Sequence, residues 1–180
     1  MNNFGLNVSN LPDRFYRVTY PNSTPFSETT GFEARDQSLV NLESPDRLRE
    51  AIKYAFTWSS RVPSPFIAVF SERDHAERWA ISYRRRHQGN VAVVEIDTSK
   101  LTNVKVLRLS TVVQALGIIL GDGAAQHELG AYLCLKSIPP PAIMSVTPVS
   151  ELLSERESQS KSRNRVICST IPLRTRSAST

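Results

Sequence analysis

One arginine stands out in this sequence because it lies inside a segment that is typical of a β-strand. Residues 14–20 (RFYRVTY) are aromatic and β-branched and end at Pro21. Alternation places Arg17 on one face of this strand, together with Phe15 and Thr19. A guanidinium on a central strand needs an anionic partner or a pocket with hydrogen-bond acceptors. Arg17 is therefore predicted to form either an internal ion pair or a site that reads a phosphate or an amide.

The more familiar signatures of catalysis are absent from the sequence. There is no glycine-rich phosphate loop, no serine elbow and no cysteine nucleophile motif. His75, His87 and His127 stand alone without metal-ligand spacing, so no metal site is predicted, and His75 is expected to be a surface residue. Cys134 in an apolar run and Cys168 in a polar tail predict free thiols in a reducing compartment.

The elements that must position Arg17 are short strands and amphipathic helices. Strands are predicted over residues 14–20, 65–70, 91–96, 104–109, 131–135 and 142–146. Helices are predicted to begin at the capping residues Ser44 and Ser71, and to cover residues 110–120 and about 149–156. Residues 21–43 have no sustained period and are predicted to be a long irregular connection. Without regular βαβ alternation, the sequence predicts an α+β fold with mostly antiparallel sheets.

Positive charge is concentrated at the end of the chain. The formal net charge is +5, and residues 154–180 hold six basic residues against two acidic ones. We predict a flexible N-terminus over residues 1–10, one domain over 11–153 and a basic, serine-rich disordered tail over 154–180. The tail could contact nucleic acid or acidic partners weakly. No membrane-length apolar run and no secretory signal are found, which predicts an intracellular protein, cytoplasmic or nuclear, with no membrane partner.

Four sequence blocks resemble, in order, the cholera-toxin-like ADP-ribosyltransferases. Tyr16-Arg17-Val18 resembles their Tyr-Arg start, and residues 65–71 (PFIAVFS) with the following helix resemble their Ser-Thr-Ser strand and helix. Residues 91–97 and 103–107 resemble their middle strands. Residues 131–139 (AYLCLKSIP) resemble the strand that begins with the catalytic glutamate and ends in Ile-Pro.

The resemblance covers residues 11–153 and is closest to fungal domains of unknown function with this fold. It implies small split sheets, mixed but mostly antiparallel, around a cleft with flanking helices.

The resemblance also implies where an NAD site would lie. In that family an arginine on the first strand holds NAD, a serine on the second orients a glutamate, and the glutamate stabilises the oxocarbenium-like ribose. These roles fall on Arg17, Ala68 and Ala131, with Ser71 at the last serine position and Val18 beside the arginine. Two of the three roles are thus occupied by methyl groups. The resemblance therefore implies no catalytic residue, and NAD binding that is weak or lost.

Two functions follow as hypotheses. The first is a pseudoenzyme that acts by binding a nucleotide or an unidentified protein partner. The second is an active mono-ADP-ribosyltransferase or NAD glycohydrolase that uses a displaced acid such as Glu128, three residues before Ala131 and on the opposite face of an extended strand. Leu129 occupies a position where arginine-modifying families carry an acid, and it offers no base. Restoring both side chains, Ala131→Glu with Ala68→Ser, is expected to restore nicotinamide release.

Overall fold

The computed structural model describes residues 5–6, 8–21, 23–38, 44–56, 62–121 and 125–168, excluding the side chains of residues 6, 8 and 159–168. The chain divides into two compact units, Met1–Val149 and Ser150–Thr180. All of the described strands belong to the first unit.

A large antiparallel sheet forms most of the first unit. Its strands are β1 (Gly5–Leu6), β2 (Arg14–Thr19), β5 (Phe66–Phe70), β6 (Ala92–Asp97), β7 (Val106–Arg108), β8 (Ala131–Leu135) and β10 (Ile143–Pro148). They lie in the order β1-β7-β8-β5-β2-β6-β10. β2 pairs with β6 along six residues, whereas its register with β5 consists of the single pair Tyr16 and Phe70. The sheet is therefore almost divided between β2 and β5.

A smaller sheet of three strands was not predicted. It consists of β3 (Phe26–Ser27), β4 (Gly31–Glu33) and β9 (Ser137–Ile138), in the order β3-β4-β9. The prediction of an irregular connection over residues 21–43 is therefore wrong for the part that the structure describes. The six predicted strands also lie in one sheet instead of two. Strands of two or three residues are too short to show an alternating pattern, which is why the sequence did not reveal them.

The helices begin largely where the sequence indicated but end elsewhere. They are α1 (Pro45–Phe56), α2 (Arg73–Arg86), α3 (Leu109–Leu116) and α4 (Val149–Cys168). The capping residue of α2 is Glu72, without a side-chain hydrogen bond, and not Ser71. Arg108, and not Ser110, precedes α3. α3 ends at Gly117, whose left-handed conformation (φ 59°) stops the helix four residues before the predicted end.

Parts of both ends of the chain form regular secondary structure. Gly5 and Leu6 pair with Leu107 and Val106, so part of the N-terminus is a strand. α4 continues to Cys168, past the predicted start of the tail at residue 154. The hydroxyls of Ser154 and Ser158 donate to carbonyls of the preceding turn, which is how serine is accommodated inside a helix. Residues 169–180 lie outside the described residues.

The two faces of the large sheet are covered by different elements. On one face, which we call the small-sheet face, Phe15 and Tyr132 contact each other and join a core that includes Phe32 of β4. On the other, the helix face, the Phe70 ring lies 5.0 Å from the ring of His75 and 6.3 Å from that of Trp79, both on α2. Since paired residues of an antiparallel ladder point to the same side, the register assigns every strand residue to one of these faces.

Candidate functional site

Arg17 lies buried on the small-sheet face, with 7% of its surface exposed. Its Nη1 donates a hydrogen bond of 2.8 Å to the backbone carbonyl of Ala68 on β5. The guanidinium carbon lies 5.0 Å from the ring centroid of Phe32, which is a cation–π geometry. No carboxylate among the described residues forms an ion pair with it. Of the two sequence hypotheses, the internal ion pair is not found, and the guanidinium instead reads an amide carbonyl.

The environment of Arg17 does little to stabilise its charge. Burial is the main cause that lowers the pKa of Arg17 to about 10. Tyr20 and Cys134 act against this shift, and the positive charge of Arg35 acts with it. The side chain remains protonated at neutral pH, and its Nε has no hydrogen-bond partner in the described part of the chain. Burial raises the pKa of the free thiol Cys134 to about 12, so this cysteine is neutral and not a nucleophile.

The remaining positions that the resemblance assigned to NAD lie on the helix face. Tyr16, Phe70 and Ala131 are consecutive partners across β2, β5 and β8. With neighbouring strands about 4.8 Å apart, the backbones of Arg17 and Ala131 are roughly 10 Å apart. The side chains diverge, however, because Arg17 follows Tyr16 in the strand and points to the opposite face. The Ala131 methyl is fully buried, Ala68 shares its face, and Val18 is buried there beside Tyr16.

Ser71 is bonded to the chain segment that precedes Ala131. Its backbone N–H and its hydroxyl both donate to the carbonyl of Gly130, at 2.9 and 3.3 Å. The segment itself is folded into turns, with the N–H of Glu128 donating to Ala125 and the N–H of Ala131 to Glu128. Glu128 is half-buried on this turn and does not lie on an extended strand.

A pair of histidines on the helix face was missed by the sequence analysis. Nε2 of His75 and Nδ1 of His127 lie 2.7 Å apart in a hydrogen bond, with the rings edge to face. His127 is only 5% exposed, and the ring of Phe70 lies 5.0 Å from His75 and 5.6 Å from His127. The prediction that these histidines stand alone is wrong. They are 52 residues apart in sequence, and only the approach of the residue 125–130 turn to α2 brings them together.

Both histidines are poor bases in this environment. Burial and, to a smaller extent, the neighbouring His75 lower the pKa of His127 to about 4. Burial also lowers the pKa of His75, with Arg78 acting in the same direction and Glu72 in the opposite one. At neutral pH the pair is therefore uncharged, and one ring nitrogen donates to the other.

The side chains at the positions that the resemblance assigned to an NAD site do not form one site for NAD. The guanidinium that would hold the dinucleotide is covered by Phe32 on the small-sheet face, whereas the methyls of Ala68 and Ala131 point to the helix face. These groups therefore do not line one common cavity. We derive no reaction step through NAD from this arrangement.

A second surface is formed by residues 117–121 and 125–130, which lie on the connection between α3 and β8. Two of its aliphatic side chains project into solvent, Ile119 with 90% and Leu129 with 81% of their surface exposed. The segment contains Asp122 and Glu128 but no lysine or arginine. It is thus apolar and acidic in a chain that is basic as a whole.

Neither a metal centre nor a membrane span is found in the described ranges. No three histidine, cysteine, aspartate or glutamate side chains among these residues are grouped as metal ligands. None of the described helices combines the length and the apolar character needed to cross a bilayer.

Comparison with solved structures defines the class of fold. The chain is similar to EcPltA with a TM-score of 0.51 and 17% sequence identity, covering 77% of each chain. The α+β architecture with mostly antiparallel sheets is therefore an ADP-ribosyltransferase-like fold, as predicted.

Sequence comparison then identifies the family. Residues 10–152 match the model of DUF7587, a domain of unknown function, and the chain belongs to this family. No curated protein matches the chain. The suggested fungal affinity stays a prediction.

Proposed function

We propose that this domain is a non-catalytic member of the ADP-ribosyltransferase-like fold that acts by binding another protein. The observation that carries the proposal is the separation of Arg17 from Ala131 onto opposite faces of the sheet. Chemistry at the ribose needs a preorganised carboxylate where positive charge develops, and a buried methyl group supplies none. An arginine that binds ground state and transition state alike does not accelerate the reaction.

The burial of Arg17 supports a structural role for this residue. Its hydrogen bond to Ala68 joins β2 to β5 at the point where the ladder between them consists of a single residue pair. Its cation also rests on Phe32, which ties the small sheet to the large one. The retention of an arginine at this position is thus explained without a bound nucleotide.

The exposed side chains of Ile119 and Leu129 support binding as the activity. Ile119 and Leu129 are the most exposed of the large apolar side chains in the described ranges. The acidic residues and the absence of lysine and arginine favour a partner surface that is apolar and basic. We therefore assign Ile119 and Leu129 as contacts for a protein segment of that composition.

Two measurements on the full chain test the proposal. Incubation with NAD should release no nicotinamide above background. A wild-type protein that releases nicotinamide, and loses this activity in Glu128→Gln, would establish the alternative of an active enzyme with a displaced acid.

Binding is measured by fluorescence anisotropy with a synthetic amphipathic peptide of leucine and lysine, and with its leucine–glutamate counterpart. We expect the basic peptide to bind the wild type. The double variant Leu129→Asp with Ile119→Asp should weaken this binding at least tenfold. Met144→Asp is the matched control, because Met144 is half exposed but lies on β10. Equal binding of both peptides, or an equal loss in the Met144 variant, would refute the assigned surface.

A further inference from the structure

The turn at residues 125–130 is attached to the start of α2 by two separate contacts. The first is the pair of hydrogen bonds from Ser71 to the Gly130 carbonyl. The second is the hydrogen bond between His75 and His127, which spans the turn and the first turn of α2. Only the second contact contains groups that can titrate between pH 7 and pH 4.

Protonation affects this histidine pair in two distinct stages. In the neutral pair one nitrogen donates and the other accepts, and after a single protonation an imidazolium can still donate to a neutral ring. After the second protonation both facing nitrogens carry hydrogen. No acceptor then remains between them, and two positive charges face each other at a separation of about 3 Å.

The surroundings oppose the second proton. His75 lies in the first turn of α2, where the helix dipole disfavours a cation. From the same helix Arg78 adds a positive charge and Glu72 a negative one, while β5 contributes the uncharged ring of Phe70. The group that faces His127 from α2 is His75 itself. A doubly charged pair is thus unfavourable where it stands, and separation of the rings relieves it.

We propose that His75 and His127 form a pH-sensitive latch, which holds the residue 125–130 turn against α2 at neutral pH and releases it when both rings are protonated. The latch stands independently of the proposed protein-binding function, because its effect is on the turn itself. Release of the turn would change the position of the Leu129 side chain, because Leu129 lies on that turn.

Burial gives the direction of the pH dependence. The pKa of His127 in the folded chain is about 4, against an ordinary value of 6.5. The unfolded or released segment therefore binds more protons between these two values, and attachment of the turn weakens as pH falls through this window. The latch is closed above pH 6.5 and opens as pH approaches 4.

Hydrogen exchange of the full chain at pH 7.0 and pH 4.0 tests the latch, with rates corrected for the intrinsic effect of pH. We expect the protection of the Glu128 and Ala131 amides to fall at least tenfold more than that of β6 amides. His127→Gln keeps a hydrogen-bonding group that does not titrate, and should reduce this difference to less than twofold. His87→Gln removes an exposed histidine at the end of α2 and should leave the difference intact.

Three results would overturn the latch. The first is a wild-type turn whose protection is the same at pH 7.0 and pH 4.0. The second is a loss of protection in His127→Gln as large as in the wild type. The third is a loss of protection in β6 equal to that in the turn. If His127→Gln does not fold, as judged by circular dichroism, His75→Gln at the half-buried partner replaces it and carries the same expectation.

Discussion

The two faces of the large sheet differ in how they treat charge. The small-sheet face buries one cation, Arg17, between an aromatic ring and a single carbonyl. The helix face holds its ionisable histidines in a neutral, hydrogen-bonded pair and places methyl groups at Ala68 and Ala131. Arg17 therefore lies on one side of the sheet, and Ala68 and Ala131 lie on the other. The difference shows that neighbouring positions of one ladder belong to separate environments, because alternation sends their side chains to opposite faces.

The largest effect is expected from adding an acid to the helix face. Ala131→Glu would bury a carboxylate away from Arg17, which points to the other face. We expect a loss of about 3–5 kcal/mol in the free energy of unfolding. The double variant with Ala68→Ser should release no nicotinamide, which replaces the expectation drawn from sequence. Urea denaturation and a nicotinamide assay measure both outcomes.

Ala125→Glu is the control, because Ala125 is exposed on the adjacent turn and its substitution should cost less than about 0.5 kcal/mol. A stable double variant that cleaves NAD would show that the two faces do converge on one site.

Removing the cation from the small-sheet face should have the next largest effect. Arg17→Ala leaves the Ala68 carbonyl without its donor and the Phe32 ring without its contact, and should cost about 3 kcal/mol in urea denaturation. Arg17→Lys keeps the charge but not the planar contact, and should cost about half as much. The exposed Arg47 of α1 serves as the control. If Arg17→Ala matched Arg47→Ala in stability, the guanidinium would have to be retained for a ligand.

A comparison of two glycine substitutions tests how closely β4 approaches β9 in the small sheet. Gly31 has φ +73°, and a Cβ there would collide with the backbone carbonyl of Ile138. Gly117 has φ +59° with no atom within 4 Å of the added Cβ. Gly31→Ala should cost about 2–3 kcal/mol and Gly117→Ala about 1 kcal/mol, measured by thermal unfolding. Equal losses would mean that backbone conformation alone, and not the approach of β9, requires the glycine.

The smallest effect is expected from shortening the chain. Residues after Arg156 contribute little apolar material, so a chain that ends there should keep its melting temperature within about 2 °C. A chain that ends at Pro148 lacks the hydrogen bond from the Val149 N–H to the Val91 carbonyl, and its melting temperature should fall further. A large drop for the first truncation would contradict the sequence analysis of the tail.

The longer elements were predictable because their local signals were strong. β2, β5 and β6 carry dense β-branched or aromatic runs, and β8 is a continuous apolar run. α1 has serine and proline at its start. The Leu48 N–H donates to the Ser44 carbonyl, as this start implies. The predicted helix end at Leu120 is wrong, because Gly117 adopts the left-handed conformation and stops α3 after Leu116.

The candidate site was less predictable because its geometry depends on register. Alternation placed Arg17 with Phe15 on one face, and the structure confirms this. The face of Ala131 follows only from the pairing of Tyr16, Phe70 and Ala131 across three strands, which no local pattern specifies. The contact between His75 and His127 likewise depends on the path of the chain between α3 and β8.

The single residue pair between β2 and β5 also bears on the mechanics of this domain. A ladder resists shear in proportion to the hydrogen bonds that cross it, and here six paired residues on one side of β2 adjoin one pair on the other. We therefore expect the large sheet to deform most easily along the boundary between β2 and β5. The hydrogen bond from Arg17 to the Ala68 carbonyl crosses this boundary and opposes that deformation.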